Sequence, residues 1–491
     1  MIAEPSTPRV GRTAAAILPL VIAGRGTAFL VPIVVAGVFG AIPATDAFFF
    51  ALALPAFVMI VAANALAPAL TPAVARREEA NPAEVGPFVT AASVVAGVTS
   101  ALVVLVATAI AAAALGAFGG FDDATRAQTT TDALALIPFA TFTGATVPLR
   151  VGAEVAGAFS GSALAALIRG SVAIALVVGL AGPLGTGALP VAYGAGQLAE
   201  IVWYLSILWR RGRLAWPGPL LVPWHEVGAT LLPLAAAQGL IGLGMAIDRG
   251  FASRLPEGSV SLLEYADRTR FIPQTLLEST LVAVAFTTWS RLVARGDAVA
   301  YARQLDQSLR WAIIWSAPVV AGLFVGRHLL VRTLYVRGAF TISDADQVAG
   351  ALAGFAPGLV GIVLTLLVAR ALVIEGRGRA VIALSATHLS LNVALDAAMT
   401  APFGLPGIGA ANALAMLGTA ALAGRFAWAR LHGVAKAADW ARAAGVAVAS
   451  AAVAAGSVVV GAPERWTDPR TLGAALTGLA LVLLATVTSR K

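Results

Sequence analysis

The segment VSLLEYADRTRFIPQTLLEST, residues 260–280, places Glu264, Asp267, Arg268, Arg270 and Glu278 in a chain that is otherwise mostly apolar. At the helical increment of about 100° per residue, Glu264, Asp267, Arg268 and Glu278 fall within an arc of about 100° on one face, and Arg270 points elsewhere. An acid four residues ahead of a base is the favourable order for a pair on one helix, which matches Glu264 to Arg268. The planar fork of arginine suits phosphate or pyrophosphate, so the chemistry implied is recognition of an anionic head group. Pro273 adds a break that frees the carbonyl one turn back.

The element carrying this face lies in a membrane. Of 491 residues, 59% are hydrophobic and only 12% charged, with a mean hydropathy of +0.87, whereas a soluble domain carries about 25% charged residues. A charge at the bilayer centre costs at least about 2.5 kcal/mol, so the charged face meets other helices or water. Further polar residues share this setting: Arg25, Asp46, Arg150, Glu154, Arg169, Glu200, Asp248, Arg249, Arg370, Asn392 and Asp396. They spread over both halves of the chain, which points to a hydrated cavity between two six-helix lobes, lined by mixed charges. Plainer roles stand beside this one. Arg150, Arg169 and Arg370 could be arginines that reach to the head groups from near helix ends. Asp248 and Arg249 could cap a helix, and Asp396 could pair structurally.

Apolar stretches of about 20 residues mark fourteen spans. They cover residues 12–39, 46–74, 86–115, 131–156, 161–182, 189–209, 226–251, 260–289, 304–330, 345–374, 379–400, 406–429, 437–461 and 470–488. The N-terminal apolar run reaches Phe39 with only Arg25 interrupting it, too long for a signal-peptide core, and reads as an uncleaved first span. Alternate connections hold the cations: Arg76 and Arg77; Arg210, Arg211 and Arg213; Arg291, Arg295 and Arg303; Arg377 and Arg379; Arg425, Arg430 and Lys436. Cation retention puts these connections and both termini in the cytoplasm. The connection with Arg332 and Arg337 is the exception. Span two (TDAFFFALALPAF) and span eight (EYADRTRFIPQT) each set an aspartate ahead of a proline, and VPLRVGAEVAGAF in span four resembles LVARALVIEGRGR in span ten. A six-helix repeat follows, with residues 1–215 as the N-lobe, 216–432 as the C-lobe and 433–491 as a C-terminal helix pair. Transporters use such repeats with the site between the halves.

Other functions find little support. There is no cysteine, hence no disulfide framework and no thiol nucleophile or ligand. The net charge of +8 sits in short loops and is explained by topology, so it does not argue for nucleic acid. The DxD in SDAD, residues 343–346, reads as a helix start with Ser343 capping. GLIGLG at 239–244 favours close helix packing. His225, His328, His388 and His432 lack metal spacing. No connection is long enough to hold a catalytic constellation, and no cofactor or metal is implied, so the chain reads as a transporter and not an enzyme.

The segments GVFGAIPATDAFFFALALPAF, DRGFASRLPEGSVSLLEYADRTRFIP, LVRTLYVRGAFTISDADQVAGALAGFAPGL and RAVIALSATHLSLNVALDAAM resemble, in order, the MurJ/MviN family of lipid II flippases. That family belongs to the multidrug/oligosaccharidyl-lipid/polysaccharide exporter superfamily. The resemblance implies an all-α fold of two six-helix lobes around a central cavity, with spans 13 and 14 forming a groove for the lipid tail. It implies movement of an undecaprenyl-pyrophosphate-linked precursor to the outer leaflet of the bacterial plasma membrane, driven by the membrane potential, and contacts with membrane lipids and the cell-wall synthesis machinery. It maps substrate-binding roles to Arg25, Asp46, Asp267 and Arg268; Glu264, Glu278, Asp248, Arg249 and Arg370 join as further cavity candidates. The chain departs from the family pattern at Val31 and Pro32, where an Arg-Asp pair is usual, and at Met59 and Ile60, where arginines are usual. The resemblance therefore leaves open a different polyprenyl-linked glycan, a small-molecule exporter of the same superfamily, or a pseudo-flippase scaffold.

Overall fold

A computed structural model gives the fold, and residues 23–24, 26–27, 29–118, 120–216 and 224–459 are described. Arg25, residues 12–22 of the first span and span fourteen lie outside the described residues. Among those described there is no strand. The chain divides into two compact units, Met1–Gly242 and Leu243–Lys491.

The first unit holds α1 (Phe29–Phe39), α2 (Pro43–Ala80), α3 (Val85–Phe118), α4 (Asp123–Val155), α5 (Phe159–Leu184) and α6 (Ala188–Arg210). The helix α7 (Trp224–Ala252) contains the division between the units. The second unit continues with α8 (259–294), α9 (Ala298–Tyr335) and α10, which runs as Ile342–Phe355 and Gly358–Ile374 with a 44° bend. The helical stretch Gly378–Leu431 breaks at Gly404 (φ 61°, ψ −140°), and its two segments are α11 and α12; α13 is Ala437–Val459. Gly404 takes the left-handed conformation that a side chain would resist.

Seven helical rods among the described residues are long and apolar enough to span a membrane, and an eighth if the bent α10 counts as one. Two of those rods, Ser160–Arg210 and Gly378–Leu431, each contain two of the expected spans. The charged α8 falls outside that count. Each expected span from the second to the thirteenth coincides with a helix.

Lipid exposure is legible on α3. Val98, Leu102, Val106 and Ile110 recur every four residues and all are exposed, an apolar ridge suited to hydrocarbon. Its opposite side packs on α4 through small residues: a Cβ on Gly144 would lie 2.6 Å from the Ala96 carbonyl oxygen. In the second unit, α10 and α12 meet through Gly354 and Gly409, where added Cβ atoms would come within 2.4 Å of the Pro406 oxygen and 2.5 Å of the Ala351 oxygen. With lipid as apolar as leucine, such backbone approach supplies the packing.

Two helices share one unusual backbone pattern. α2 runs 19 residues as α-helix (Pro43–Val61), then five as a π-helical turn (Ala62–Leu66), then α-helix again. α8 likewise runs 19 residues (Ser259–Leu277), then a five-residue π-helical turn (Glu278–Val282), then Ala283–Ala294. Each has a proline inside its first segment, Pro55 and Pro273.

Candidate substrate site

The charges of α8 fall into distinct hydrogen-bonded groups. Glu264 is the centre of one group. Its Oε1 accepts from Arg268 Nε at 2.7 Å, and its Oε2 accepts from Arg249 Nη2 at the end of α7. The Glu264 side chain is 1% exposed and that of Arg268 37%. Arg249 is buried and also donates to the Met245 carbonyl at 2.9 Å. Glu264 is thus buried between two arginines, and of the two Arg268 is the accessible one.

Asp267 hydrogen-bonds within a second pair. It accepts from Arg270, whose Nε lies 3.1 Å from Oδ1, and the Arg270 guanidinium sits 4.9 Å from the Phe355 ring centroid. Arg270, which points away from the arc of the other four charges, thus still has an acidic partner in Asp267. The i,i+3 spacing brings Arg270 alongside Asp267 although it lies outside the 100° arc. Glu278 opens the π-helical turn and accepts from Gln274 at 2.8 Å. It lies fourteen residues beyond Glu264, about 20 Å along the axis, so a common face does not make a common site.

A third group crosses helices. The Asn392 amide on α11 donates to Asp248 on α7 and, at 2.9 Å, to Asp396 one turn on. All three are buried. Asn392 Oδ1 and Asp396 Oδ1 make no hydrogen bond among the described residues. Asp248 therefore does more than cap α7. Among the described residues no three His, Cys, Asp or Glu side chains converge to hold a metal ion. Arg370 is exposed on α10, 5.7 Å from the Phe286 ring centroid, apart from the Glu264 group.

In the first unit, Asp46 is buried in the opening turn of α2, where its charge favours the helix dipole. Thr45 sets that turn, its hydroxyl accepting from the Ile42 amide at 2.9 Å. A polar chain links α4, α5 and α6. Arg169 Nη1 lies 2.9 Å from Glu200 Oε2, and Gln197 Nε2 donates to both Thr146 Oγ1 (2.8 Å) and Glu200 Oε2 (3.2 Å). Ser162 donates to Glu154 at 2.8 Å. Nothing in the sequence announced the Arg169–Glu200 pairing, which joins residues on different helices.

The family model for "Lipid II flippase MurJ" matches residues 35–479. The chain belongs to this family. The lipid II flippase MurJ of Burkholderia cenocepacia is 34% identical over 139 residues, 28% of this chain and 27% of that protein. The match thus spans about a quarter of that MurJ relative's length. A solved structure titled lipid II flippase MurJ, inward closed conformation, superposes with a TM-score of 0.75 at 17% identity, covering 96% of this chain and 98% of the other. An inward-facing multidrug resistance MATE family transporter of the MOP superfamily gives a TM-score of 0.65 at 15% identity, over 85% and 98%. The fold is therefore the multi-helix membrane fold shared by MurJ and MATE proteins.

Proposed function

We propose that the chain is a flippase that moves a polyprenyl-pyrophosphate-linked peptidoglycan precursor, lipid II, from the inner to the outer leaflet by alternating access. Membership of the MurJ family supports this, and one observation of the site carries it: Arg268 is half-exposed and held by Glu264, and Glu264 has a second buried partner in Arg249. An anionic head group can take Arg268 without stranding a bare buried carboxylate, because Arg249 keeps Glu264 neutralised. Arginine offers pyrophosphate two parallel donors, which a hydrated lysine does not. A transporter of cationic compounds calls for the opposite charge at this position. No enzymatic step enters the proposal.

Asp46 and Asp267 enter as residues whose ion pairs change between conformational states, and Arg25 as a further cationic contact. We propose that residues 1–215, 216–432 and 433–491 act as N-lobe, C-lobe and tail-groove pair, and that both termini face the cytoplasm. The orientation rests on arginines retained near Arg77, Arg211 and Arg377. Single cysteines at those positions should resist an impermeant thiol reagent in intact cells, in a chain with no native cysteine.

The test of function is complementation. In cells depleted of their own flippase, this chain alone should restore growth and clear the accumulated lipid II, measured by mass spectrometry. Stable protein with lipid II still accumulating would overturn the reading.

A further inference from the structure

We infer that the first unit carries a second anion-binding station at Arg169, with Glu200 as its resident counter-ion. This rests on the function proposed above, and the ligand class is the same, a lipid-linked pyrophosphate.

Position comes first. Arg169 is ten residues inside α5 (Phe159–Leu184) from the nearer end, about 15 Å along the axis. That is more than an arginine side chain spans, so Arg169 sits well inside its helix and not at its end. Yet its side chain is 29% exposed, while Glu200 beside it is 7% exposed. A charged surface at this depth is not sustained against hydrocarbon, so it borders a space that admits water.

The pair then repeats the logic of Arg268 and Glu264. In both, the acid is buried, the arginine is partly open, and the acid keeps a second donor when the arginine turns away. For Glu264 that donor is Arg249; for Glu200 it is Gln197, 3.2 Å away and itself anchored on Thr146. Gln197 is buried with its Oε1 making no hydrogen bond among the described residues. The second donor differs in charge, however. Arg249 neutralises Glu264, whereas the Gln197 amide only solvates Glu200, so drawing Arg169 away costs more and this station binds more weakly than Arg268.

The test uses the purified full chain and isothermal titration with farnesyl diphosphate, with inorganic pyrophosphate as the second arm. Glu200→Gln removes the competing anion and should tighten farnesyl diphosphate binding about threefold or more. The charge-neutral double variant Arg169→Met/Glu200→Gln keeps the unit free of an unpaired buried charge, and should bind about tenfold more weakly than Glu200→Gln, the loss expected of one charge-assisted contact. Arg268→Ala should weaken binding further than the double variant. If Glu200→Gln binds no tighter and the double variant matches the wild type, the pair is structural and the inference falls, while an effect of Arg268→Ala would leave the flippase reading standing. If the wild type binds neither ligand, both fall. Farnesyl diphosphate binding tighter than pyrophosphate supports a lipid head group; equal binding would overturn that assignment.

Discussion

α2 and α8 share a backbone and differ in what fills it. Both run 19 residues before a five-residue π-helical turn. Phe48 is the sixth residue of α2 and Glu264 the sixth of α8, and both are fully buried. Phe48 packs edge-on to Phe49 and Tyr193, at 5.3 and 5.4 Å between centroids. Glu264 lies between two arginines. The tenth residues are Leu52, buried, and Arg268, half-exposed. One scaffold thus carries an aromatic core in one unit and an ionic core in the other. The lesson is that the backbone pattern does not dictate the chemistry: the buried ion pairs sit at these positions in α8, not in α2.

The largest effect tests that contrast at the sixth position. Glu264→Ala leaves Arg249 buried without its acid, and breaking a buried ion pair from one side costs about 3–5 kcal/mol. The Arg249 bond to the Met245 carbonyl places the loss toward the lower end. Phe48→Leu keeps the site apolar and should cost about 1 kcal/mol with transport retained. Thermal unfolding of both variants in detergent checks this. Equal losses would mean that the two sites are energetically alike and the contrast empty.

Next comes Asp46, the lone ionisable residue in the first segment of α2. Asp46→Asn should leave the protein level unchanged, since an asparagine still fits the opening turn. Outer-leaflet appearance of the precursor should fall by about tenfold, on the scale of one lost charged contact. Full activity would reduce Asp46 to a helix-start acid.

The smallest effect concerns the π-helical turns. Thr280 donates to the Leu276 carbonyl at 2.8 Å and the Leu277 carbonyl at 3.2 Å, serving oxygens at the α-to-π junction. Thr280→Val should lower stability by about 0.5–1 kcal/mol and transport less than Asp46→Asn does. A full loss of transport would make the turn itself part of the site.

The fold was legible where composition is blunt. Apolar runs bounded by glycine and arginine gave the helices, and Gly404 broke the α11–α12 stretch between expected spans eleven and twelve. The π-helical turns were not legible, because AANAL and ESTLV carry no signal for an extra residue per turn. Of the site, the Glu264–Arg268 pair was readable, since i,i+4 spacing on one helix fixes proximity. The Arg270–Asp267 pair was less readable, because Arg270 lies about 60° outside the arc and only its long side chain reaches back to Asp267. Arg249 on Glu264, Asn392 between Asp248 and Asp396, and Arg169 on Glu200 each join different helices, and no periodicity along one segment encodes which helices meet.

The central claim is that Arg268, not the remainder of the α8 charge set, holds the anionic head group. It is tested most directly by outer-leaflet appearance of the lipid-linked precursor in cells relying on this chain, with protein level followed by blot. Arg268→Ala leaves Glu264 paired with Arg249, so the protein should accumulate normally while precursor export falls to background, and Arg268→Lys should restore it only in part. Normal export by Arg268→Ala, with loss in Arg270→Ala, would contradict the account and move the site to the Asp267–Arg270 pair.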